Sequence, residues 1–409
     1  MEKYKDWTKE QLLSHIEKLE QQSENKLSNN KSTKKHKKQQ RPFDMTKYRQ
    51  RRIALKVAYL GWKYAGFAAQ GDEVNIPTVE GPIFYALEHC RLIVDRDSCD
   101  YTRCGRTDRG VSGLGQVIIL NVRSKQLSQQ KKEEEDDDFL PVEEELPYVD
   151  MLNGALPDDI HILAWAPVAS QLNARFDCRS RTYRYLFRKE QLDLHLMQQA
   201  AQDFVGTHDF RNFCKLDPSK NITDYHRCIL RCTLLPTSLD DVKEKDMVQL
   251  ELQGTAFLWH QVRCMMSVLF LIGQHLEPPT IIKDLMDISR YPGRPEYPMA
   301  SDLPLILYDC AFDSIVWHYA PSASYRVATH WDQMAYAQQV RALTCELFSQ
   351  QTACDPIQDG KHKVVLGAGL SSSMQHYKPL ALRPCCDTDE RKKEKFSAKK
   401  RKRAILDDQ

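Results

Sequence analysis

Residues 257–275 read as a helix that is apolar nearly all round, with Val262, Met265, Met266, Val268, Leu269, Phe270, Leu271 and Ile272 leaving it no polar face. Such a helix has to be enclosed by the rest of the chain. No apolar run reaches the roughly 20 residues that a membrane span needs, so no membrane association is expected. The enclosure must come from a protein core, and 409 residues with 42% apolar content give room for two domains and tails. One arginine, Arg263, sits inside this helix. Arginine is almost never buried unpaired, because its stranded charge is costly. An anion is therefore expected beside it, with Asp108 as the first candidate and an ordinary ion pair with another carboxylate as the alternative. His260, one turn earlier, could face the same cleft, but reads first as a helix-terminal or core histidine.

Asp108 stands in Gly105-Arg106-Thr107-Asp108-Arg109-Gly110-Val111-Ser112, followed by the strand-like Gln116–Leu120. A carboxylate at the tip of such a turn projects into a cleft. The glycines let the backbone approach a ligand or take positive φ. The flanking arginines can hold the carboxylate ionised or receive phosphate. Asn173-Ala174-Arg175-Phe176 and Arg181-Thr182-Tyr183-Arg184-Tyr185 add a third cluster. Aromatics interleaved with arginines suit a base-stacking surface; Tyr183 and Tyr185 share a strand face, so one of them can be core. His208–Asn212 reads as a turn with helix-capping duties.

Formal net charge is only +2, but the charge is segregated. Residues 1–50 form an appendage: a capping box at Thr8–Gln11 opens a short helix through Leu19, and a basic, disordered tail follows over Lys31–Arg41. That tail is either merely solvated or an electrostatic RNA arm. The first α+β domain spans 51–168, with an acidic flexible insertion at 128–147. The second spans 169–320, and 321–409 is an extension ending in a basic tail. Strands are expected around 53–59, 160–166, 182–187, 247–252 and 305–312, and helices after Thr78, over 194–204 and after Pro279. The clusters at 391–395 and 399–403 resemble a bipartite nuclear signal, so the expected location is nucleus, cytoplasm or both. No signal-peptide core opens the chain. Thirteen cysteines, with no Cys-x-x-Cys and no His-Glu-x-x-His, read as reduced thiols in an intracellular protein, and no metal site is expected.

Taken together, Cys104–Ser112, Asn173–Phe176, Thr182–Tyr185, Phe257–Arg263 and Leu305 resemble the TruA family of tRNA pseudouridine synthases, over roughly Arg51–Phe312 and most closely its eukaryotic branch acting on tRNA positions 38 and 39. Ser112-Gly113 stands where that branch has Ser-Ala, a change of no expected consequence. The resemblance implies an α+β fold of two α+β domains sharing a central, mainly antiparallel sheet, with the active cleft between them. It implies Asp108 as catalytic residue, Arg106 helping to extrude the target base, and Tyr183 against the uracil. Arg263 would pair with Asp108, and Leu305 would line the pocket. Arg175 would neutralise phosphate. The arginine partner would lower the Asp108 pKa. The reaction implied needs no cofactor; Asp108 either attacks carbon or removes a ribose proton. The partner implied is the tRNA anticodon arm, and a homodimer is expected. The same chemistry at another RNA site and a noncatalytic RNA-binding protein are the rivals. A paired-carboxylate glycosidase is disfavoured, since only one carboxylate is well placed.

Overall fold

The computed structural model describes residue 8 and residues 43–70, 76–128, 139–220, 222–236, 247–352 and 360–407. The proposed helix beyond Thr8, the basic run at 31–41 and the acidic stretch at 129–138 lie outside the described residues. Thr46–Gln409 form one compact unit.

Eleven strands are described. They are β1 (Tyr48–Tyr59), β2 (Thr102–Arg103), β3 (Ser112–Leu127), β4 (Ile160–Pro167), β5 (Ser180–Arg188), β6 (Gly206–Asp209), β7 (His226–Pro236), β8 (Met247–Gly254), β9 (Leu305–Ala311), β10 (His362–Gly367) and β11 (Leu370–Met374). Seven helices accompany them: α1 (Glu80–His89), α2 (Tyr148–Asn153), α3 (Leu194–Ala201), α4 (Gln261–Gly273), α5 (Ile281–Met286), α6 (Pro321–Gln351) and α7 (Asp389–Asp407). Nine strands make one sheet in the order β4-β1-β3-β9-β5-β8-β7-β6, with β2 on β3. Every pairing is antiparallel except β3 with β9, which meet in parallel only at Ser112↔Ile306 and Gly113↔Leu307. This short seam joins the two halves of the sheet immediately after the Asp108 turn.

On β1, the expected alternation is present, but both faces are buried. Ile53, Leu55, Val57 and Tyr59 pack with α1 and α2. Ala54 joins a smaller cluster with Val117, Leu307 and three cysteines. Small residues on that face let the second cluster close against the strand. The apolar helix, α4, is enclosed as its composition demands. Phe270 packs against Tyr185 and Phe187, with ring centroids at 6.0 and 5.5 Å. Each such fully buried side chain contributes about 1.5–3 kcal/mol.

Three expectations are corrected. The insertion is not flexible to its end: Val142–Glu144 form a helical turn, and Glu145 is buried. Its carboxylate accepts from Arg51 at 3.1 Å, from Ser124 at 2.7 Å and from the backbone of Lys125 at 2.7 Å. Those bonds offset the cost of burying the charge. His208–Asn212 caps no α-helix, although the Asp209 carboxylate accepts from the Arg211 N–H at 2.9 Å at the start of a single 3-10 turn. The segment runs from β6 into that turn, and Asp209 grips the Arg211 guanidinium at 2.7 Å. Third, the segment after α6 is not a mere extension. Val364 and Leu380 belong to the α4 core, and the Leu366 carbonyl accepts from the Ser301 N–H at 2.7 Å. The β10–β11 hairpin thus backs the loop that carries Asp302.

Candidate active site

A cleft of about 1160 Å³ lies along the β3–β9 seam. Asp108, Arg106, Arg175, Tyr183, Arg263 and Leu305 all line it, so the residues singled out from sequence converge on one hollow. The lining carries nine lysines and arginines against four aspartates. A chain of nearly zero net charge therefore holds a concentrated positive field where a polyanion would enter.

The Asp108 loop is held from several sides. Gln116 brackets Gly105, accepting from its N–H at 3.2 Å and donating to its carbonyl at 2.8 Å. The Thr107 carbonyl accepts from Phe67 N–H at 3.1 Å. Gly110 takes φ +79° with Asp302 close against it, which a side chain would not permit. Gly113 has a definite consequence, contrary to expectation. A Cβ there would fall 2.6 Å from the Tyr59 ring. The missing methyl lets Tyr59 lie under the loop, where its hydroxyl meets Thr107 Oγ1 at 2.7 Å.

The expected Asp108–Arg263 pair is not formed. Arg263 Nε donates to the Ala300 carbonyl at 2.7 Å, and Nη2 lies 3.9 Å from Asp302 Oδ1. The buried arginine does find an anion, but it is the alternative one. Arg106 and Arg109 are both exposed, and neither pairs with Asp108. What touches Asp108 is Trp259, whose indole N–H donates to Oδ1 at 3.0 Å, and His260, whose Nε2 is 3.5 Å from Oδ2. Trp259 escaped the sequence reading, which placed it inside the helix, whereas His260 is helix-terminal, as read, and also faces the cleft. The helix starts at Gln261, and His260 takes φ 62°, in the left-handed region. That reversal turns residues 259 and 260 out of the helix and onto the carboxylate. The Gln261 side chain accepting from Leu258 N–H at 2.8 Å fixes the turn.

Electrostatically, burial dominates. It pushes Asp108 above the ordinary carboxylate value. The Trp259 bond and the Arg263 charge pull down, Asp302 pushes up, and burial wins. The expected lowering is thus overturned: Arg263 acts in the expected direction, from a distance, and is outweighed. His260 is drawn down to about 4, by burial first and then by Arg263 and Lys215. At neutral pH its imidazole is uncharged, and its approach to Asp108 is no ion pair.

Tyr183 lies on β5 between Leu252 of β8 and Leu307 of β9, edge-on to Phe257 at 5.1 Å. Burial holds its phenol well above the usual value, so it presents a neutral ring. Tyr185 is the core member of the pair, fully buried. Arg175 and Phe176 lie on a turn, not on a strand; the Asn173 side chain caps it, accepting from their N–H groups at 2.9 and 3.3 Å. Phe176 is 77% exposed beside the Arg175 guanidinium. Arg106 has no hydrogen bond or ion pair among the described residues, and burial with the charges of Arg103 and Arg175 depresses its pKa. An anion is what that group lacks.

A profile of the tRNA pseudouridine synthase family matches residues 200–313. The tRNA pseudouridine(38/39) synthase of Bos taurus is 43% identical over 342 residues, 80% of this chain and 71% of its own length. That of Saccharomyces cerevisiae is 38% identical over 419 residues, 97% of this chain and 92% of its own length. The chain belongs to the TruA family of tRNA pseudouridine synthases. The tRNA pseudouridine synthase A of Methanothermobacter thermautotrophicus is also similar, 34% identical over 244 residues, 59% of this chain and 74% of its own length.

For this TruA-family site, the Asp108 environment sets a pH dependence. A carboxylate raised by burial reaches its ionised form at higher pH than a free one, so with Asp108 as the reacting group the acid limb of kcat/KM is expected above the ordinary carboxylate value. Trp259→Phe removes a bond to the ionised form, and the limb is expected to move up by roughly 0.5–1 pH unit. Asp302→Asn removes a like charge, and the limb should move down. A pH profile of kcat/KM for the two variants checks both signs.

Proposed function

We propose that this chain isomerises uridine to pseudouridine at positions 38 and 39 of the tRNA anticodon stem-loop. The observation that carries this reading is the single cleft lined by Asp108, Tyr183, Arg106, Arg175, Arg263 and Leu305. The names of the cow and yeast relatives support the positions. The C1′–N1 bond of the uridine breaks, the uracil turns, and C1′ rejoins through C5; the C5 proton leaves and N1 takes one up. Atoms balance, and no cofactor is consumed. Asp108 serves in its ionised form, on carbon or on a ribose proton. Tyr183 stacks its neutral ring on the uracil, and Leu305 closes the apolar side. Arg263 steadies the site through Asp302 and its field. The target base leaves its stem to be reached; Arg106 fills the gap, and Arg175 meets phosphate. Binding is therefore salt-sensitive.

The test is to map pseudouridine in unmodified tRNAs incubated with the protein. Conversion at 38 and 39 is expected; conversion only elsewhere would reassign the target, and none at all would remove the activity.

A homodimer fits the surface of α6. From Ala335 to Gln351 every residue but Gln338 is exposed. Tyr336, Val340, Leu343 and Leu347 repeat at the four-three-four spacing of a coiled-coil seam. A second copy laid along this stripe covers it, and the sedimentation mass of the intact protein checks the pairing. The basic clusters at 391–395 and 399–403 support residence in the nucleus, the cytoplasm or both.

A further inference from the structure

Scattered in sequence, Cys104, Cys178 and Cys310 converge in space. Their Sγ atoms all lie within 4.8 Å of one another, and all three residues are buried. Each comes from a different segment, and two of them, Cys104 and Cys178, line the cleft. Cys104 directly precedes the Asp108 loop, Cys178 follows the Arg175–Phe176 turn, and Cys310 is the penultimate residue of β9. Arg181 lies against all three segments. It donates to the Cys104 and Cys178 carbonyls, each at 3.2 Å, and stands opposite Cys310 in the β5–β9 register.

We propose that Cys104, Cys178 and Cys310 form a three-thiolate site for one thiophilic d10 cation, Zn²⁺ or Cu⁺. The ion staples the Asp108 loop, the Arg175–Phe176 turn and β9 to one another and takes no part in the isomerisation. Distances favour a shared ion over a disulfide. Three sulfurs at about 2.3 Å from one metal stand about 4 Å apart, so the trio, already within 4.8 Å, needs to contract by less than an ångström. A disulfide requires about 2.0 Å and a precise Cβ geometry. Ligand softness fits as well, since thiolates select zinc and copper(I) among biological metals. On binding, each thiol gives its proton to solvent. Three thiolates with Zn²⁺ carry one net negative charge, and the Arg181 guanidinium answers it. Three-coordination, with no fourth protein ligand among the described residues, suits Cu⁺ equally, and measurement decides which ion is held.

The test uses the full-length protein, purified without chelators or metal-affinity resin under reducing conditions. Zinc and copper are measured by elemental mass spectrometry, as isolated and after incubation with Zn²⁺ or with Cu⁺. One ion per wild-type chain is expected, retained in Cys345→Ser, whose thiol is exposed and outside the trio. Cys178→Ser and Cys310→Ser should each lower metal affinity by more than the roughly 10–100-fold that loss of an outer-shell partner costs. Zinc or copper in the wild-type chain decides the source. Folded wild-type protein that takes up neither ion would overturn the proposal, as would full metal content in both trio variants or a trio found oxidised to a disulfide. The wild-type measurement stands even if a variant fails to fold.

Discussion

Asp108→Asn is expected to lower pseudouridine formation by about 10⁴-fold or more, with tRNA affinity within a few-fold of wild type. Asparagine keeps the volume, and its carbonyl oxygen can still accept the Trp259 N–H that holds Oδ1 at 3.0 Å. The loop therefore keeps its shape. What disappears is the negative charge that the proposed mechanism uses on carbon or on the ribose proton, and no neighbour replaces it. His260 is uncharged at neutral pH, and Asp302 is committed to Arg263. In the proposed complex, binding rests on other groups, Arg106, Arg175 and the basic lining, whose phosphate contacts do not depend on residue 108. Single-turnover conversion of tRNA, beside binding at matched salt, separates the two effects. Equal conversion by both proteins would remove the catalytic assignment, and lost binding would make Asp108 a folding residue.

Legibility from sequence followed how local each signal is. The Asp108 turn, β5 and β9 were readable because glycine positions and alternation are written in consecutive residues. Alternation also revealed β1, where Lys56 is the one residue of Ile53–Tyr59 that is not buried. By contrast, β7 was missed: in His226–Pro236 buried and exposed positions follow no period of two. The hairpin at 362–374 was missed because its strands are short and mostly exposed, with Val364 alone deeply buried in the core. In the site, the sequence required an anion for Arg263 and favoured Asp108 over an unnamed carboxylate; that the partner is Asp302 depends on where the 300–302 loop returns. Trp259 was hidden by a helix boundary. A left-handed histidine starts the helix later than its apolar pattern suggests, and φ is not written in composition. The missing Gly113 methyl became meaningful only once Tyr59 was seen to fill its space. The cysteine trio was invisible for the same reason, as its members share no spacing.

Arg181→Met is expected to reduce kcat by about 10²-fold while leaving KM for tRNA within a few-fold, although Arg181 need never touch the reacting atoms. Its guanidinium donates to four carbonyls: Cys104 at 3.2 Å, Arg175 at 2.7 Å, Cys178 at 3.2 Å and Thr255 at 2.6 Å. Those acceptors belong to the segment leading into Asp108, the turn bearing Arg175, and the loop that leads to Trp259. One planar fork thus sets the spacing of three walls. Hydrogen bonds to a charged donor contribute roughly 1.5–3 kcal/mol each, so their loss lets the walls drift. A drift of about 1 Å at a reacting centre can cost about 10²-fold in rate. Arg181→Lys should restore only part of the activity, since a point charge on a flexible stem cannot serve four acceptors in a plane. If Arg181 instead bound a substrate phosphate, the loss would fall on KM and the salt dependence of tRNA binding would flatten. A fall in kcat with unchanged salt dependence, measured well below the unfolding temperature of the variant, identifies it as a positioning residue.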